Sequence, residues 1–520
     1  MNYKLLGRIL GKIMIMEGLL MLFPLIVSII YDEPTKNIIA FAVPICALVL
    51  LGWLMQLPKL KRASLYQKEG FALVGLVWIV MTLFGAIPFV INGDIPNYVD
   101  ACFEIMSGFT TTGASIVTDI TALSFSTLFW RSFSHWIGGM GILVFVLIFI
   151  PESNDGSSMH LLRAESPGPS VGKIASKMKV TARILYLIYL CLTVVEIIVL
   201  LCGPLVNSEA LVDAGYSSYE GDKLFYAMLT AFGSAGTGGF GFIPNSMEFF
   251  TPFAQYTISI FLIIFGCNFG LYYLILLGKI KEVFKSEEFR TYIAILVSAV
   301  SVIFVTLIIK MKEIYTLEEA FRHSLFQVTS LVTTTGYSTT NFNMWPEVAK
   351  TVLIILMFTG AMAGSTAGGI KMSRFVIAIK GSYVNVRKLI NPRYVPKTKF
   401  EGKSLEEKTT NDVFAFFTMY LLVLISVTFI LSFDPVNSTV YAIGSDIGTD
   451  AGTHGFFSNF SASLSCLSNI GPGFEAVGPY SSFAGYSYFS KIVLTFTMLI
   501  GRLEILPVLI LFTPRTWKRA

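Results

Sequence analysis

Four glycine-centred tetrapeptides set the limits on how this chain can fold: Thr-Thr-Gly-Ala at 111–114, Thr-Gly-Gly-Phe at 237–240, Thr-Thr-Gly-Tyr at 334–337 and Asn-Ile-Gly-Pro at 469–472. Each follows a short helix-like stretch and is flanked by apolar runs long enough to cross a bilayer. The glycine always stands third: Gly113, Gly239, Gly336 and Gly471. Polar, glycine-bearing backbone at membrane depth is tolerated only where it is buried in protein or lines a water- or ion-filled cavity. Four such segments in one polypeptide point to one four-sided pore.

The composition agrees. Of 520 residues, 54% are hydrophobic and 14% charged, where a soluble domain carries about 25% charge. Mean hydropathy is +0.70. The net charge of +5 says less than its distribution. Six cysteines (Cys46, Cys102, Cys191, Cys202, Cys267, Cys466) are scattered without CxxC or Cys/His spacing, and read as small buried hydrophobes. Lys4, Arg8 and Lys12 precede an apolar run at 13–31, too long for a signal-peptide core and read as a retained first membrane helix.

A crossing takes roughly 20 apolar residues. Two runs, 13–31 and 37–57, are followed by four units of span, short amphipathic stretch, tetrapeptide and second span. The first spans fall at 71–91, 182–203, 291–310 and 412–432, the second at 125–150, 253–278, 346–380 and 486–512. The predicted fold is an all-α polytopic membrane protein: two N-terminal helices plus four helix–pore loop–helix repeats in a pseudo-fourfold arrangement, with ten transmembrane helices and four re-entrant loops. Its units are 1–70, 71–180, 181–288, 289–410 and 411–520. Basic residues cluster at Lys59, Lys61, Arg62 and Lys68; at Arg163, Lys173, Lys177, Lys179 and Arg183; at Lys279, Lys281, Lys285 and Arg290; from Arg387 to Lys408; and at Arg515, Lys518 and Arg519. All fall on the inner side, with both termini, only if each tetrapeptide loop is re-entrant. The outer loops then carry Asp94, Asp100, Asp213, Glu220, Asp434, Asp446 and Asp450, read either as an acidic, cation-concentrating vestibule or as simple loop solvation.

A monovalent cation sheds water only where oxygens replace its hydration shell, and rings of backbone carbonyls do this. Aiming successive carbonyls at an axis needs backbone angles that glycine reaches freely. Thr111, Thr112, Thr237, Thr334, Thr335 and Asn469 add side-chain oxygens. Candidate pore helices at 98–109, 223–233, 317–332 and 457–468 would direct negative dipole ends at the ion.

With these residues in view, the chain resembles the Trk/Ktr/HKT superfamily of potassium transporters, and within it the TrkH-type membrane subunit. The matching motifs are FEIMSGFTTTGAS (103–115), WIGGMGILV (136–144), FQVTSLVTTTGYS (326–338), GAMAGSTAGGIK (360–371), SNIGPG (468–473) and GRLEILPVLILFTP (501–514). The resemblance implies a single-file K+ path lined by Thr111, Thr112, Gly113, Thr237, Gly238, Gly239, Thr334, Thr335, Gly336, Asn469, Ile470 and Gly471. It also implies a homodimer in the bacterial inner membrane and a cytoplasmic TrkA-like partner that carries the nucleotide, with K+ alone on this chain and no covalent cofactor. Plant relatives that move Na+ have serine at the first filter glycine, whereas Gly113 stands here. The second loop departs with Gly236 and Gly238 beside Gly239, and the fourth with Asn469 and Ile470.

Two readings attach to Gly364, Ser365, Thr366, Ala367, Gly368, Gly369 and Lys371: a helix broken into a gate below the filter, as the family implies, or small residues for close helix packing. Arg502 and Glu504, charges inside the last apolar span, are read as a cation-repelling Arg502 under the filter or as structural contacts to loop carbonyls or a carboxylate. His135 reads as a satisfied interfacial histidine rather than a proton relay. Glu17 and Glu196 read as helix–helix hydrogen bonders, and Asp100 and Glu104 as braces of the first pore helix. The basic segment 387–408 either docks a soluble regulator or marks topology and lipid contact.

Enzymatic function is not expected: no GxxxxGK[ST] motif exists, and the four histidines (His135, His160, His323, His454) lack metal-ligand spacing. The rivals are a Na+-conducting or H+- or Na+-coupled member of the same family, and a rocking two-fold transporter, which fourfold recurrence disfavours.

Overall fold

In the computed structural model the described residues are 3–58, 67–141, 178–216, 222–391, 397–434, 455–505, 508, 510, 511 and 513. Lys59, Lys61, Arg62, Arg163, Lys173, Lys177, Arg515, Lys518, Arg519, Glu220, Asp446, Asp450, His160 and His454 lie outside them, as do the side chains of Lys68 and Lys179.

The described chain is helical apart from a two-strand hairpin, Lys399–Phe400 against Lys403–Ser404. Among the described residues six stretches are long and apolar enough to cross a membrane: Tyr3–Ile30, Thr35–Leu54, Glu69–Asn92, Val180–Cys202, Glu287–Lys310 and Glu407–Leu431. Their outer faces expose Leu187, Ile198, Val297, Ile309, Leu422 and Phe429. Apolar faces of that extent suit lipid and not water. Cys46, Cys191 and Cys202 lie on such exposed faces, and only Cys267 and Cys466 are buried. The expectation that the cysteines are buried is thus corrected: in a bilayer-facing helix an apolar sulfur is as well solvated by lipid as by a core.

Four short central helices, Tyr98–Phe109, Lys223–Ala235, Leu317–Val332 and Phe456–Ser468, carry the tetrapeptides at their C-terminal ends. Their starts are fixed by local caps. Asn97 accepts from Val99 N at 2.9 Å and Asp222 from Leu224 N at 2.9 Å, while Thr316 and Glu319 form a capping box. Each central helix packs on its own unit's first span, on its own second-span helix, and on the second-span helix of the unit before. The first central helix finds that last neighbour in the fourth unit, Tyr488–Arg502, so the packing closes into a ring. The N-terminal helices pack outside the first unit.

The second spans are all interrupted, a break expected only in the third unit. Phe125–Gly139 ends at Met140–Gly141; Pro252–Phe265 turns through 88° into Phe269–Leu276; Glu347–Phe358 gives way to irregular chain before Met372–Ile390; Tyr488–Arg502 stops before Glu504 and Ile505, both at positive φ. Glycine marks these breaks for a packing reason. A Cβ on Gly138 would meet Phe109 O at 1.8 Å, and one on Gly501 would meet Leu467 O at 2.2 Å. A Cβ on Gly266 would meet Thr333 Cγ2 at 2.8 Å. At these glycines the second spans press close against the ends of the central helices, an approach that leaves no room for a side chain.

Candidate functional site

All four central helices terminate alike. Thr112 N–H donates back to Ser107 O (2.9 Å), Gly238 to Gly233 O (2.8 Å), Thr335 to Ser330 O (2.8 Å) and Ile470 to Ser465 O (3.0 Å). Such a bond needs the intervening residue in the left-handed region. That residue is the first of each tetrapeptide, with φ of 55° at Thr111, 53° at Thr237, 55° at Thr334 and 56° at Asn469. Asparagine takes this conformation at little cost, but for β-branched threonine it is an outlier worth about 1–3 kcal/mol. Three loops therefore hold strain at the same register. φ is positive again at the third residue: 77° at Gly113, 82° at Gly239, 84° at Gly336 and 104° at Gly471. Left-handed backbone at alternate residues turns successive carbonyls toward one side instead of alternating them as a strand would.

The four loops meet in cyclic order. A Cβ on Gly113 would lie 2.0 Å from Gly238 O, on Gly239 1.9 Å from Thr335 O, on Gly336 1.9 Å from Ile470 O, and on Gly471 2.7 Å from Thr112 O. Each glycine is thus pressed against the second-position carbonyl of the next loop, and the fourth returns to the first. Thr112 and Thr335 turn their hydroxyls to Thr110 and Thr333, at 2.8 and 2.9 Å. Asn469 Nδ2 ties the fourth loop to the first through Thr112 Oγ1 (2.9 Å) and also bonds Met498 O (2.9 Å).

On its glycine side the ring opens into a cavity of ≈ 900 Å³, lined among others by Gly113, Gly239, Gly336, Gly471, Asp119 and Glu475. Of the expected vestibule acids that fall among the described residues, Asp94, Asp100, Asp213 and Asp434, none lines it. Asp94 braces Asn92 and Ser124, Asp100 pairs with Lys491 at 2.7 Å, and Asp434 accepts from Ser487 N. Asp94 and Asp434 thus hold the backbone at helix starts, and Asp100 is spent in an ion pair. Glu104 braces the outgoing strand of the first loop, accepting from Ser115 Oγ (2.9 Å) and Ile116 N (2.9 Å) while pairing with buried Arg131 at 2.8 Å.

The opposite side of the ring is covered. Residues 359–371 fold back in a closed loop, called a hairpin below although its two ends run parallel, held by Gly360 N to Ile370 O at 2.8 Å and Met372 N to Ala361 O at 3.1 Å. Gly368 N donates to Thr334 Oγ1 at 2.6 Å, and a Cβ on Gly368 would come within 2.8 Å of Ser468 O. Thr366 and Ala367 are buried here, Gly364 and Ser365 sit toward the surface, and the Lys371 ammonium turns back to Ala367 O. Gly369, at φ 66°, lies beside Gly360. Arg502 joins hairpin and ring: Nη1 donates to Thr366 O (3.1 Å) and Thr111 Oγ1 (3.2 Å), and Nη2 to Gly138 and Gly139 O. Glu504 pairs instead with Arg374.

Two acids missed by the sequence reading hold the hairpin from the side. Glu288 Oε1 accepts from Ala363 N (2.8 Å) and Ser373 N (3.0 Å). Glu401 accepts from Glu288 N (3.1 Å) and Ser286 Oγ (2.8 Å), while Lys380 bonds Glu287 at 2.8 Å. The basic cluster at 279–290 therefore lies beside Lys380 and the part of the 387–408 segment around Glu401. A carboxylate at the mouth of a long apolar run was the signal for Glu288. His135 is not interfacial but fully buried behind the second loop. Glu196 accepts from Ser234 Oγ, yet neither carboxylate oxygen of Glu17 meets a hydrogen-bonding partner among the described residues. Those residues contain no cluster of three or more His, Cys, Asp or Glu suited to a metal.

The profile of TrkH, described as a cation transport protein, matches residues 35–519. The chain belongs to the TrkH family. It is 33% identical over 529 residues to the Trk system potassium uptake protein TrkH of Salmonella typhimurium, and 29% identical over 525 residues to TrkG of Escherichia coli. The first alignment covers 100% of both chains and the second 99% of both. The crystal structure of the potassium transporter TrkH from Vibrio parahaemolyticus superposes with a TM-score of 0.81 at 30% identity, covering 100% of each chain. This TrkH-family chain is therefore a multi-pass helical membrane protein with a transport function rather than a catalytic one.

Proposed function

We propose that this chain takes up K+ across the bacterial inner membrane in single file through the ring of four loops. The observation that carries the reading is the cyclic closure of Gly113, Gly239, Gly336 and Gly471 on the carbonyls of Gly238, Thr335, Ile470 and Thr112. The filter is Thr111, Thr112, Gly113, Thr237, Gly238, Gly239, Thr334, Thr335, Gly336, Asn469, Ile470 and Gly471, whose carbonyls replace the water of a bare ion. The C-terminal ends of four central helices add a negative field at that point. Ions enter from the ≈ 900 Å³ vestibule, and the termini lie in the cytoplasm.

The hairpin, with Gly364, Ser365, Thr366, Ala367, Gly368, Gly369 and Lys371, is the gate: K+ passes only when it leaves the underside of the ring. Arg502 places a fixed positive charge below the filter, which weakens binding of the innermost ion and speeds its exit. Two copies form a homodimer among membrane lipids. The relatives' designation as a Trk system supports a multi-component assembly. In this reading a cytoplasmic TrkA-like subunit binds the nucleotide and works the gate through the 387–408 surface. This chain holds only K+, and no nucleic acid is involved.

The test is current through the purified chain in liposomes under imposed K+, Na+ and pH gradients. A reversal potential that follows K+ alone supports a K+ channel. One that also follows pH or Na+ establishes coupled or sodium-conducting transport instead, and absence of K+ flux refutes the proposal.

A further inference from the structure

The second residue of each tetrapeptide is Thr112, Gly238, Thr335 and Ile470, so one quadrant of the ring lacks a side chain. The cause lies in the preceding unit. A Cβ on Gly238 would fall 2.1 Å from His135 Cγ and 2.2 Å from its Nδ1. The imidazole occupies the volume that a side chain on residue 238 would need.

His135 is held on both nitrogens. Nδ1 lies 2.8 Å from Gly108 O and Nε2 3.3 Å from Phe240 N. A carbonyl only accepts, so these partners assign the proton to Nδ1 and leave Nε2 to accept from the Phe240 N–H. The ring thereby bolts the end of the first central helix to the strand leaving the second loop. Phe240 packs against both residues, with the His135 ring 4.3 Å from its centroid and the Arg131 guanidinium 4.3 Å over its face.

The same register in the other units carries no such group. Three residues before the break glycines stand His135 before Gly138, Ile263 before Gly266, Met357 before Gly360 and Met498 before Gly501. Histidine thus accompanies the loop with glycine at its second position, and apolar residues accompany the three loops with a side chain there. A loop reading Gly236, Thr237, Gly238, Gly239 has little stiffness of its own, and His135 supplies it.

We infer that His135 is a positioning residue that fixes the second loop's carbonyls and so sets the K+ over Na+ discrimination of the ring. This rests on the reading of the ring as the ion filter. Without the imidazole the loop relaxes and the ring can close on a smaller ion.

The experiment is a double-mutant cycle on the full-length chain in liposomes: wild type, His135→Met, Gly238→Thr and the pair, which copies the Met498–Thr112 combination of another quadrant. Losing the buried Phe240 bond is expected to lower the K+/Na+ permeability ratio of His135→Met about tenfold. Gly238→Thr alone abolishes uptake, and His135→Met restores it. Thermal unfolding in detergent is measured on all four, so a variant that does not assemble still reports coupling. Rescue in flux or in thermal stability, together with the altered ratio, supports the inference. Strict additivity in both, or an unchanged ratio in a folded His135→Met protein, overturns it. A wild type that carries no K+ would instead refute the filter reading itself.

Discussion

Gly368 donates its backbone N–H to the Thr334 hydroxyl at 2.6 Å, so the hairpin and the ring share a hydrogen bond. The group blocking one face of the ring is thereby tied to the third loop's strained first residue. Replacing Thr334 by valine keeps the shape and removes the acceptor, at a net cost to the closed state of about 1 kcal/mol. The expected outcome is a several-fold rise in basal K+ flux with the K+/Na+ ratio held. Unchanged or lower rubidium flux at equal reconstitution would contradict a gate latched there.

Glu288 grips both legs of the hairpin through Ala363 N and Ser373 N. Removing this acceptor would leave two buried backbone N–H groups without a partner, at about 1–3 kcal/mol each. Glu288→Ala is expected to raise resting flux by at least tenfold, whereas Glu288→Gln, which retains the acceptor oxygen, stays near wild type. Glu401→Ala, one step removed, gives a smaller increase. Equal fluxes in the alanine and glutamine variants would remove the clamp from the mechanism.

Alanine at the ring glycines is penalised twice, by positive φ at about 1–2 kcal/mol and by the neighbouring carbonyl. The approaches of 1.9 Å at Gly239 and Gly336 against 2.7 Å at Gly471 set an order. Uptake should fall furthest in Gly239→Ala and Gly336→Ala and least in Gly471→Ala. Reversal of that order in rubidium-uptake assays would mean that the ring is packed otherwise.

The Arg131–Glu104 pair is almost wholly buried. Deleting one partner strands a charge and should cost about 3–5 kcal/mol. Glu104→Ala is therefore expected to unfold in detergent well below wild type, and Glu104→Ala with Arg131→Met to recover much of the loss. Additive melting shifts would show that the two residues act separately.

Arg502 contacts Thr111 and Thr366 from beneath the ring. Arg502→Ala is expected to raise the uptake rate or shift K+/Na+ preference, through loss of both the positive charge and a tie to the hairpin. Arg502→Lys, which keeps the charge without the fork, separates the two contributions. Identical flux and selectivity in both variants would leave Arg502 as packing only.

Much of this was readable in the chain. The central helices follow from their caps and from the glycine two residues beyond each left-handed turn, because those signals act within a few residues. The interruption of the helix at 359–371 announced itself by its density of small residues. What escaped was set at longer range. The breaks just past Gly138, Gly266 and Gly501 sit in runs whose hydropathy reads as unbroken helix, and the close approaches that demand glycine there come from residues far away in the chain. The acids from Asp94 to Asp434 suggested a vestibule by charge alone, but a carboxylate's role depends on which donor faces it.

The sequence by itself determined a membrane-embedded helical chain with four glycine turns of one kind, since apolar length and left-handed backbone are written locally. The tertiary structure decided that each glycine backs onto the next loop's carbonyl, that residues 359–371 cover one face, and that His135 stands where Gly238 has no side chain. Those are contacts between residues up to hundreds of positions apart, and no local preference encodes which distant backbone will approach.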